Sequence, residues 1–310
     1  MANNNIMVSV IIVTYYHEDY IKKAIESVLV QRTKFNYEIL ISDDASKDRT
    51  LEIAKMLKET HGDLIKIHCN DPNVGTTRNL YEAFLRAKGK YITILAGDDV
   101  YSDVDKLSKQ FNFLENHPEH FAAAVTTRSV YTDGTPTGVT SPDKKYRGND
   151  FSQTDFAKGN NYPIHGIMFR NLFDRKDVRD KFHIVVDFSK YIEDLTLCLL
   201  FFEFGKVHIL NDIAYEITTR RETDTNQHNF NSIFDFCKAA IMHVELIKKL
   251  QNYFGDKIDL SNRLCEPSWD IARAAIKTCN FKYLRYLKGV PLVCICKGAR
   301  HWMAKKIKKA

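Results

Sequence analysis

The chain has 310 residues, a formal net charge of +6 at pH 7, 44% hydrophobic and 27% charged residues. These values are typical of a globular protein with a sizeable core and exclude a disordered or fibrous chain. Seven scattered cysteines form no CxxC pair or Cys/His zinc spacing, and the N-terminus is polar, so a disulfide scaffold and a secretory leader are not expected.

The first hundred residues alternate apolar, β-branched runs with amphipathic segments. The runs predict strands at 8–13, 38–41, 64–69 and 91–96, and the segments between them predict helices at 20–29, 50–59 and 78–87. This alternation is typical of a parallel sheet covered by helices, so the predicted class is α/β.

Polar side chains follow three of these strands. They are the cluster Thr14–Asp19, the pair Asp43 and Asp44, and the pair Asp98 and Asp99. Parallel strands end at one edge of a sheet, where ligands bind in open α/β folds, so a binding crevice is predicted there. There is neither GxGxxG after the first strand nor GxxxxGK[ST], so carboxylates and an aromatic ring, rather than a glycine cradle, would hold a nucleotide.

Asp98 and Asp99 come directly after the buried run 91–96 and Gly97. Two neighbouring carboxylates repel each other unless a cation lies beside them, which favours a metal site. The alternative is an ordinary turn or a cap of the next helix, because Asp is common at such positions.

The rest of the chain predicts further elements. A helix is expected at 106–116, a strand at 121–131, a mobile loop at 133–150 and a strand at 164–169. Next come a buried helix at 188–204, which contains Glu193 and Asp194, strands at 207–210 and 214–218, and helices from residue 230 onward, one of them at 267–288. We therefore expect an α/β domain at 1–228, with halves 1–104 and 105–228, and a helical region at 229–310.

The positive charge is concentrated at the C-terminus. Residues 281–310 contain nine Lys and Arg and no Asp or Glu, which leaves −3 on the rest of the chain. Interleaved apolar residues, among them Trp302, Met303 and Ile307, favour binding to an anionic membrane surface. A solvated helix is the alternative, and without a recognised module nucleic acid is not an expected partner. The basic residues are Lys282, Arg285, Lys288, Lys297, Arg300, Lys305, Lys306, Lys308 and Lys309.

Five motifs, in this order, resemble those of the family 2 glycosyltransferases, which have the GT-A fold. They are VSVIIVTYYHEDYIKKAIESVLVQ, YEILISDDASKDRT, NVGTTRN, AKGKYITILAGDD and YIEDLTL, within residues 8–218. The resemblance implies a mostly parallel GT-A sheet flanked by helices, followed by a helical C-terminal extension.

The resemblance also implies a nucleotide-sugar site. Tyr15 would stack on the base and Asp44 would accept its imide hydrogen, which favours UDP, with Thr14 and Glu18 nearby and Arg78 reaching the phosphates. Each residue has an alternative role: Tyr15 as a packed aromatic ring, Asp44 as a helix cap, and Arg78 as a solvated surface charge.

Asp98 corresponds to the family's ligand of a divalent metal, Mn²⁺ or Mg²⁺, and Asp99 to the acidic residue beside it. Asp194 corresponds to the base that deprotonates the acceptor in an inverting displacement; its alternative is a charge favoured at a helix N-terminus. Glu193 and His165 are weaker acceptor-side candidates, with a packed or exposed histidine as the alternative for His165.

The chain departs from the family pattern at three places: Ala96 replaces an acid, Tyr16 replaces an Asn, and Tyr215 to Thr218 replace Tyr-Arg-x-His. The predicted function is transfer of a sugar from a UDP-linked donor to a saccharide or lipid-linked saccharide in surface polysaccharide synthesis. The expected location is the cytoplasm, on the inner face of the membrane if the tail binds lipid. The alternative is a non-catalytic sugar-nucleotide-binding subunit.

Overall fold

The computed structural model describes residues 5–160, 164–192, 194–221, 236–278 and 280–307. The chain forms two compact units. The first consists of Met1–Ser152 and Asn161–Asp224, and the second of Gln153–Asn160 and Thr225–Ala310. The division into domains at residue 228 stays a prediction.

The first unit alternates strands and helices as the sequence predicts. Its strands are β1 (Ile6–Thr14), β2 (Asn36–Asp43), β3 (Ile65–Cys69), β4 (Tyr91–Ala96), β5 (Val100–Tyr101), β6 (His120–Tyr131), β7 (Pro136–Ser141), β8 (Asn149–Phe151), β9 (Ile167–Arg170) and β10 (Lys206–Thr219). Its helices are α1 (Ile21–Leu29), α2 (Thr50–His61), α3 (Thr76–Arg86), α4 (Lys106–Asn116), α6 (Lys176–Val186) and α7 (Asp194–Phe201); α5 (Gln153–Ala157) belongs to the second unit.

Within the described residues, these ten strands form one mixed sheet in the order β3-β2-β1-β4-β9-β6-β10-β5, with β7 on β6 and β8 on β10. Strands β1 to β4 pair in parallel, and β6 pairs in parallel with β10. Because β9 is antiparallel to both β4 and β6, those two strands run in the same direction. The carboxyl ends of β1, β2, β4, β6 and β10 therefore share one edge.

The core explains why the predicted strands form. Val8, Val10, Ile11 and Ile12 of β1 are fully buried, as expected for a strand covered on both faces. Helix α1 buries its apolar stripe from Ile21 to Val28 against the sheet cluster. Full burial of one such aliphatic side chain contributes about 1.5–3 kcal/mol.

Several sequence-based boundaries were wrong. The predicted mobile loop at 133–150 contains β7 and most of β8, because backbone pairing with β6 and β10 orders a segment that has no apolar period. The buried helix begins at Asp194 rather than at 188, and the two last predicted strands are one strand, β10. Helix α6 was missed, although Val178, Phe182, Val185 and Val186 form its buried stripe.

The second unit is helical. Its long helices are α8 (Phe236–Phe254), α9 (Cys265–Lys277) and α10 (Leu292–Ile307). Helix α9 ends at Lys277, before the predicted 288, and residues 281–287 form a 3₁₀ turn. Helices α9 and α10 approach closely at Gly298, where a Cβ would lie 2.0 Å from the Cys265 carbonyl oxygen. Nowhere in the described chain is a helix both long and apolar enough to cross a bilayer.

Candidate functional site

The loop after β1 carries an aromatic pair. The rings of Tyr15 and Tyr16 meet edge to face, with centroids 4.5 Å apart. Burial raises the pKa of Tyr15, and the neighbouring Tyr16 and Asp44 raise it further. Tyr15 therefore lies near Asp44, as expected if both contact one ligand. The packed-ring alternative describes the Tyr15–Tyr16 contact equally well.

Asp44 is buried and holds the loop before α3. Its carboxylate accepts hydrogen bonds from Val74 N at 2.9 Å, Gly75 N at 2.8 Å and Asn70 Nδ2 at 3.0 Å. It does not cap α2, which begins after Arg49. A carboxylate offers about four acceptor positions, so one remains for a ligand donor.

Glu18 contacts the start of α2. Its Oε2 accepts a hydrogen bond from Arg49 N at 2.9 Å, and its own N donates to Asp48 Oδ2 at 3.2 Å. A carboxylate at this position accepts a hydrogen bond from an N–H that has no partner within the helix, and its charge interacts favourably with the helix dipole. Its contact with a nucleotide stays a prediction.

Asp98 and Asp99 have different surroundings. Asp99 is buried, and its carboxylate accepts hydrogen bonds from the Tyr215 hydroxyl and Thr218 N, both at 2.8 Å. Burial, and then the charge of Asp98, raise the pKa of Asp99 well above its usual value. The Asp98 side chain is 27% exposed, and its Oδ2 lies 3.7 Å from His17 Nε2. Asp99 thus anchors the turn to β10, whereas Asp98 is available to a ligand.

Two residues of this site, Tyr215 and His17, were missed as candidates. The buried Tyr215 hydroxyl accepts a hydrogen bond from Ala96 N at 3.2 Å and donates to Asp99. His17 could have been found from its place in the polar cluster Thr14–Asp19. For Tyr215, the only signal in the sequence is its place in the segment that departs from the family pattern.

The acceptor-side candidates meet this turn. Asp194 is the first residue of α7, and its Oδ1 accepts a hydrogen bond from Leu195 N at 2.8 Å. Burial lowers the pKa of His165, and the charges of Asp194 and Asp98 oppose that shift. The fold therefore brings His165 within electrostatic reach of both Asp98 and Asp194, although the three residues lie far apart in the sequence. Glu193 lies outside the described residues.

Arg78, on α3, forms an ion pair with Asp187, 2.7 Å from Nη2 to Oδ1. The Arg78 side chain is 42% exposed and that of Asp187 is 62% exposed. This geometry fits the solvated-charge alternative, and a contact between Arg78 and a phosphate stays a prediction.

The Asp98 turn fits a divalent cation. Thr14 Oγ1 and His17 Nδ1 are buried there, and neither has a hydrogen-bond partner among the described residues. Both face Gly97, where a Cβ would lie 2.7 Å from each atom, so glycine is required for this close approach. An oxygen donor at Asp98, beside a second carboxylate that raises the local negative charge, is the environment a hard cation prefers.

Fold and site together define an α/β protein with an acidic candidate site at the carboxyl ends of the parallel strands of a mixed sheet. The family model of Glycosyl transferase family 2 matches residues 9–178, more than half of the chain. Putative glycosyltransferase EpsE of Bacillus subtilis is 30% identical over 84% of this chain and 89% of its own length. The chain therefore belongs to glycosyl transferase family 2, which confirms the predicted family and, at the level of the family, the predicted enzyme class.

Other relatives are matched over shorter regions. The glucosyltransferase WfaP of Escherichia coli, named for UDP-Glc and α-D-GlcNAc-diphosphoundecaprenol, is 38% identical over 37% of this chain and 44% of its own length. An uncharacterised Mycobacterium tuberculosis relative, Rv1520, is 34% identical over 41% of this chain, which spans 36% of that relative.

Solved structures confirm the fold class. S. aureus TarS 1–349 in complex with UDP-GlcNAc has a TM-score of 0.62 at 16% identity and covers 93% of this chain and 83% of its own. The mannosyltransferase PcManGT of Pyrobaculum calidifontis, solved with GDP-Man and Mn²⁺, has a TM-score of 0.54 at 15% identity, with 96% and 83% covered. At these identities the likeness concerns the fold alone.

Proposed function

We propose that this protein is an inverting glycosyltransferase that moves a sugar from a UDP-linked donor to a lipid-linked saccharide in surface polysaccharide synthesis. The observation that carries the proposal is that His165 lies within electrostatic reach of both Asp98 and Asp194, while Tyr15 lies near Asp44 at the same group of strand ends. The names of WfaP and of the TarS complex support a UDP-sugar donor, and that of WfaP supports a diphosphoundecaprenol-linked acceptor.

In this proposal, the donor's base lies against Tyr15. Its imide N–H donates to the remaining acceptor position of Asp44, which purine bases match less well. The hydrogen bonds from Val74 N and Gly75 N hold the Asp44 carboxylate in place before the nucleotide arrives. Thr14 and Glu18 are proposed to line the same loop.

Asp98 is proposed to hold the divalent cation, with the half-buried His17 beside it. A bound Mn²⁺ or Mg²⁺ supplies positive charge that stabilises the departing nucleoside diphosphate. The Mn²⁺ in the PcManGT structure supports this choice. Asp99 positions the turn through Tyr215 and Thr218.

Asp194 is proposed to act as the general base. Its Oδ2 takes the proton from the acceptor hydroxyl as that oxygen attacks the anomeric carbon, and the bond from this carbon to the diphosphate oxygen breaks on the opposite face. One displacement of this kind inverts the anomeric configuration. His165, which is within electrostatic reach of Asp194 and of Asp98, is proposed to contact the acceptor, and Glu193 remains a weaker candidate.

A second candidate is a non-catalytic sugar-nucleotide-binding subunit. The observation that favours it is Ala96, which stands where the family carries an acid. Nucleotide binding by itself agrees with both candidates. Only turnover of the donor separates them.

The first experiment is a thermal-shift panel of UDP, GDP, ADP and their sugar derivatives, with and without Mn²⁺. A ligand that binds only the folded state, at about 100 times its Kd, stabilises it by about 2.7 kcal/mol. We expect a Mn²⁺-dependent rise in Tm with UDP-sugars and little with purine nucleotides. Asp98→Asn should remove the Mn²⁺ dependence, and the exposed Asp63→Asn should keep it.

The second measurement is Mn²⁺-dependent transfer or hydrolysis of the UDP-sugar that gives the largest shift. Turnover supports the enzyme. Donor binding without turnover, with a lipid-diphosphate-linked saccharide present, would overturn it in favour of the binding subunit. No Tm shift with any nucleotide would overturn the donor site itself.

A further inference from the structure

A second cluster of metal-binding residues lies away from the proposed donor site. His120 is the first residue of β6, Asp150 belongs to β8, and His208 belongs to β10. Among the described residues, this is the group of three in which one ligand atom from each side chain lies within 4.8 Å of the others. Because β6 runs from His120 towards the carboxyl edge, the cluster lies at the opposite edge of the sheet from Asp98.

The register of the sheet brings these residues together. In the antiparallel pairing of β8 with β10, Asp150 lies opposite His208. Directly opposed residues project from the same face of a sheet, which brings their side chains into contact. His120 enters from the neighbouring strand, where it pairs with Lys206 at the start of β10. The arrangement therefore depends on three strands at once.

Both imidazoles point at one carboxylate oxygen. His120 Nε2 lies 2.8 Å and His208 Nδ1 2.9 Å from Asp150 Oδ1. The Phe113 ring stacks on His208, with centroids 4.4 Å apart, and fixes the plane of that imidazole. His120 is buried, whereas Asp150 is exposed, so the cluster opens to solvent on one side.

The second nitrogen of His120 is the observation that points to a metal. Nδ1 is buried, has no hydrogen bond, and lies 3.2 Å from Glu119 Oε1. If neutral His120 donates from Nε2 to Asp150, Nδ1 carries a lone pair that faces a carboxylate, so two acceptors meet. A metal on Nε2 requires the proton on Nδ1, and a rotation of the half-exposed Glu119 side chain would let its carboxylate accept that proton in a hydrogen bond. This carboxylate–histidine–metal arrangement is the common one around protein-bound metals.

We propose that His120, Asp150 and His208 bind a divalent transition-metal ion, with Zn²⁺ the best match. Two imidazoles and one carboxylate suit Zn²⁺ and leave a fourth position for water. Ligand atoms around a tetrahedral Zn²⁺ lie roughly 3.3 Å apart, so Asp150 must withdraw by about half an ångström. Its exposed side chain permits that movement.

The ion would join the ends of three strands. Strand β8 is short, and among the described strands it pairs with β10 only. A metal shared by β6, β8 and β10 would fix β8, and with it the connection that follows β7. The site is therefore structural, and it is independent of the cation proposed at Asp98.

The test uses the full chain, with any polyhistidine tag removed and metals stripped by chelation. Calorimetric titration with Zn²⁺ should give one site that survives Asp98→Asn, and Zn²⁺ should raise the Tm. Co²⁺ in its place should give the visible absorption bands of a tetrahedral site with nitrogen and oxygen ligands. His208→Ala and Asp150→Asn should each weaken Zn²⁺ binding about 100-fold or more, while the exposed His61→Ala leaves it unchanged.

Glu119→Gln gives a finer readout, because loss of such a supporting carboxylate lowers metal affinity about 10–100-fold without removing a ligand. Circular dichroism of the metal-free variants checks that they fold. No Zn²⁺ binding by the wild-type chain, or equal binding by the folded Asp150→Asn and His208→Ala variants, would overturn the proposal.

Discussion

Asp98 and Asp99 are adjacent in the chain, yet the fold gives them different tasks. Asp99 is held by Tyr215 and Thr218 from β10, so its position is fixed before any ligand binds. Asp98 remains partly exposed beside His17. At the scale of single residues, tertiary contacts give Asp99 an anchoring role and leave Asp98 as the carboxylate that is proposed to bind the cation.

Asp194→Asn tests the proposed base at this scale. An amide cannot take the acceptor proton, so we expect kcat for transfer to fall about 10²–10⁴-fold. The donor Kd, measured by calorimetry, should change little, because Asp194 does not line the proposed nucleotide loop. Asp63→Asn is the matched control. Loss of donor binding with the remaining transfer rate intact would contradict the proposed role.

At the scale of elements, Lys106 joins α4 to the sheet. Its Nζ donates to Gln110 Oε1 at 2.8 Å and Thr93 Oγ1 at 3.1 Å, and it lies 3.9 Å from the centroid of the Tyr101 ring. Gln110 in turn donates to the carbonyl oxygens of Ala123 and Gly166. This network connects α4 with β4, β6 and the segment before β9, and no carboxylate among the described residues pairs with the lysine.

Burial lowers the pKa of Lys106 well below its usual value, and this predicts a pH dependence of stability. Between the lowered pKa and about 10.4, the unfolded chain binds a proton that the folded chain does not, so the free energy of unfolding should rise with pH. Lys106→Met removes this titration and should flatten the slope in the pH range below about 10.

The measurement is urea unfolding at a series of pH values. Lys23→Met, at an exposed position of α1, controls for the loss of one lysine in the unfolded state. An unchanged slope in Lys106→Met would contradict a neutral buried amine.

At the scale of the whole molecule, the second unit (the helical unit) carries exposed apolar residues close in sequence to basic ones. The first unit is called the sheet unit here. Trp302, predicted to face a membrane, packs on Trp269 with ring centroids 6.3 Å apart, and the side chain of Ile307 lies outside the described part of the chain. Met303 is 50% exposed, and other apolar residues that lie near basic residues in the sequence of this unit are exposed as well. The exposed set is Ile276, Phe281, Leu284, Leu292, Val293 and Met303. Apolar and basic groups together favour binding to an anionic membrane surface, which stays a prediction.

Vesicle flotation tests this surface. We expect binding to vesicles that contain phosphatidylglycerol, weaker binding at high salt, and none to phosphatidylcholine alone, since each basic group near an anionic surface contributes about 1 kcal/mol. Four basic residues of the helical unit should together reduce binding when changed to Gln: Lys282, Arg285, Lys297 and Arg300.

The control changes four exposed lysines of the sheet unit to Gln: Lys22, Lys23, Lys55 and Lys58. The helical-unit variant should still glycosylate a soluble acceptor, because its donor site is intact. Equal loss of vesicle binding in both variants would contradict a dedicated surface and indicate a net-charge effect.

The sequence by itself determined the alternation of strands and helices, the polar strand ends and the family, because each is written in consecutive residues. It did not determine the strands within 133–151, which pair through the backbone without an apolar period. Nor did it reveal that Tyr215 bonds to Asp99 or that His165 lies near both Asp98 and Asp194. Only the tertiary structure decided these contacts, because they depend on the order and register of strands that are far apart in the chain. The cluster of His120, Asp150 and His208 has the same origin, since no spacing in the sequence indicates that three strands bring these residues together.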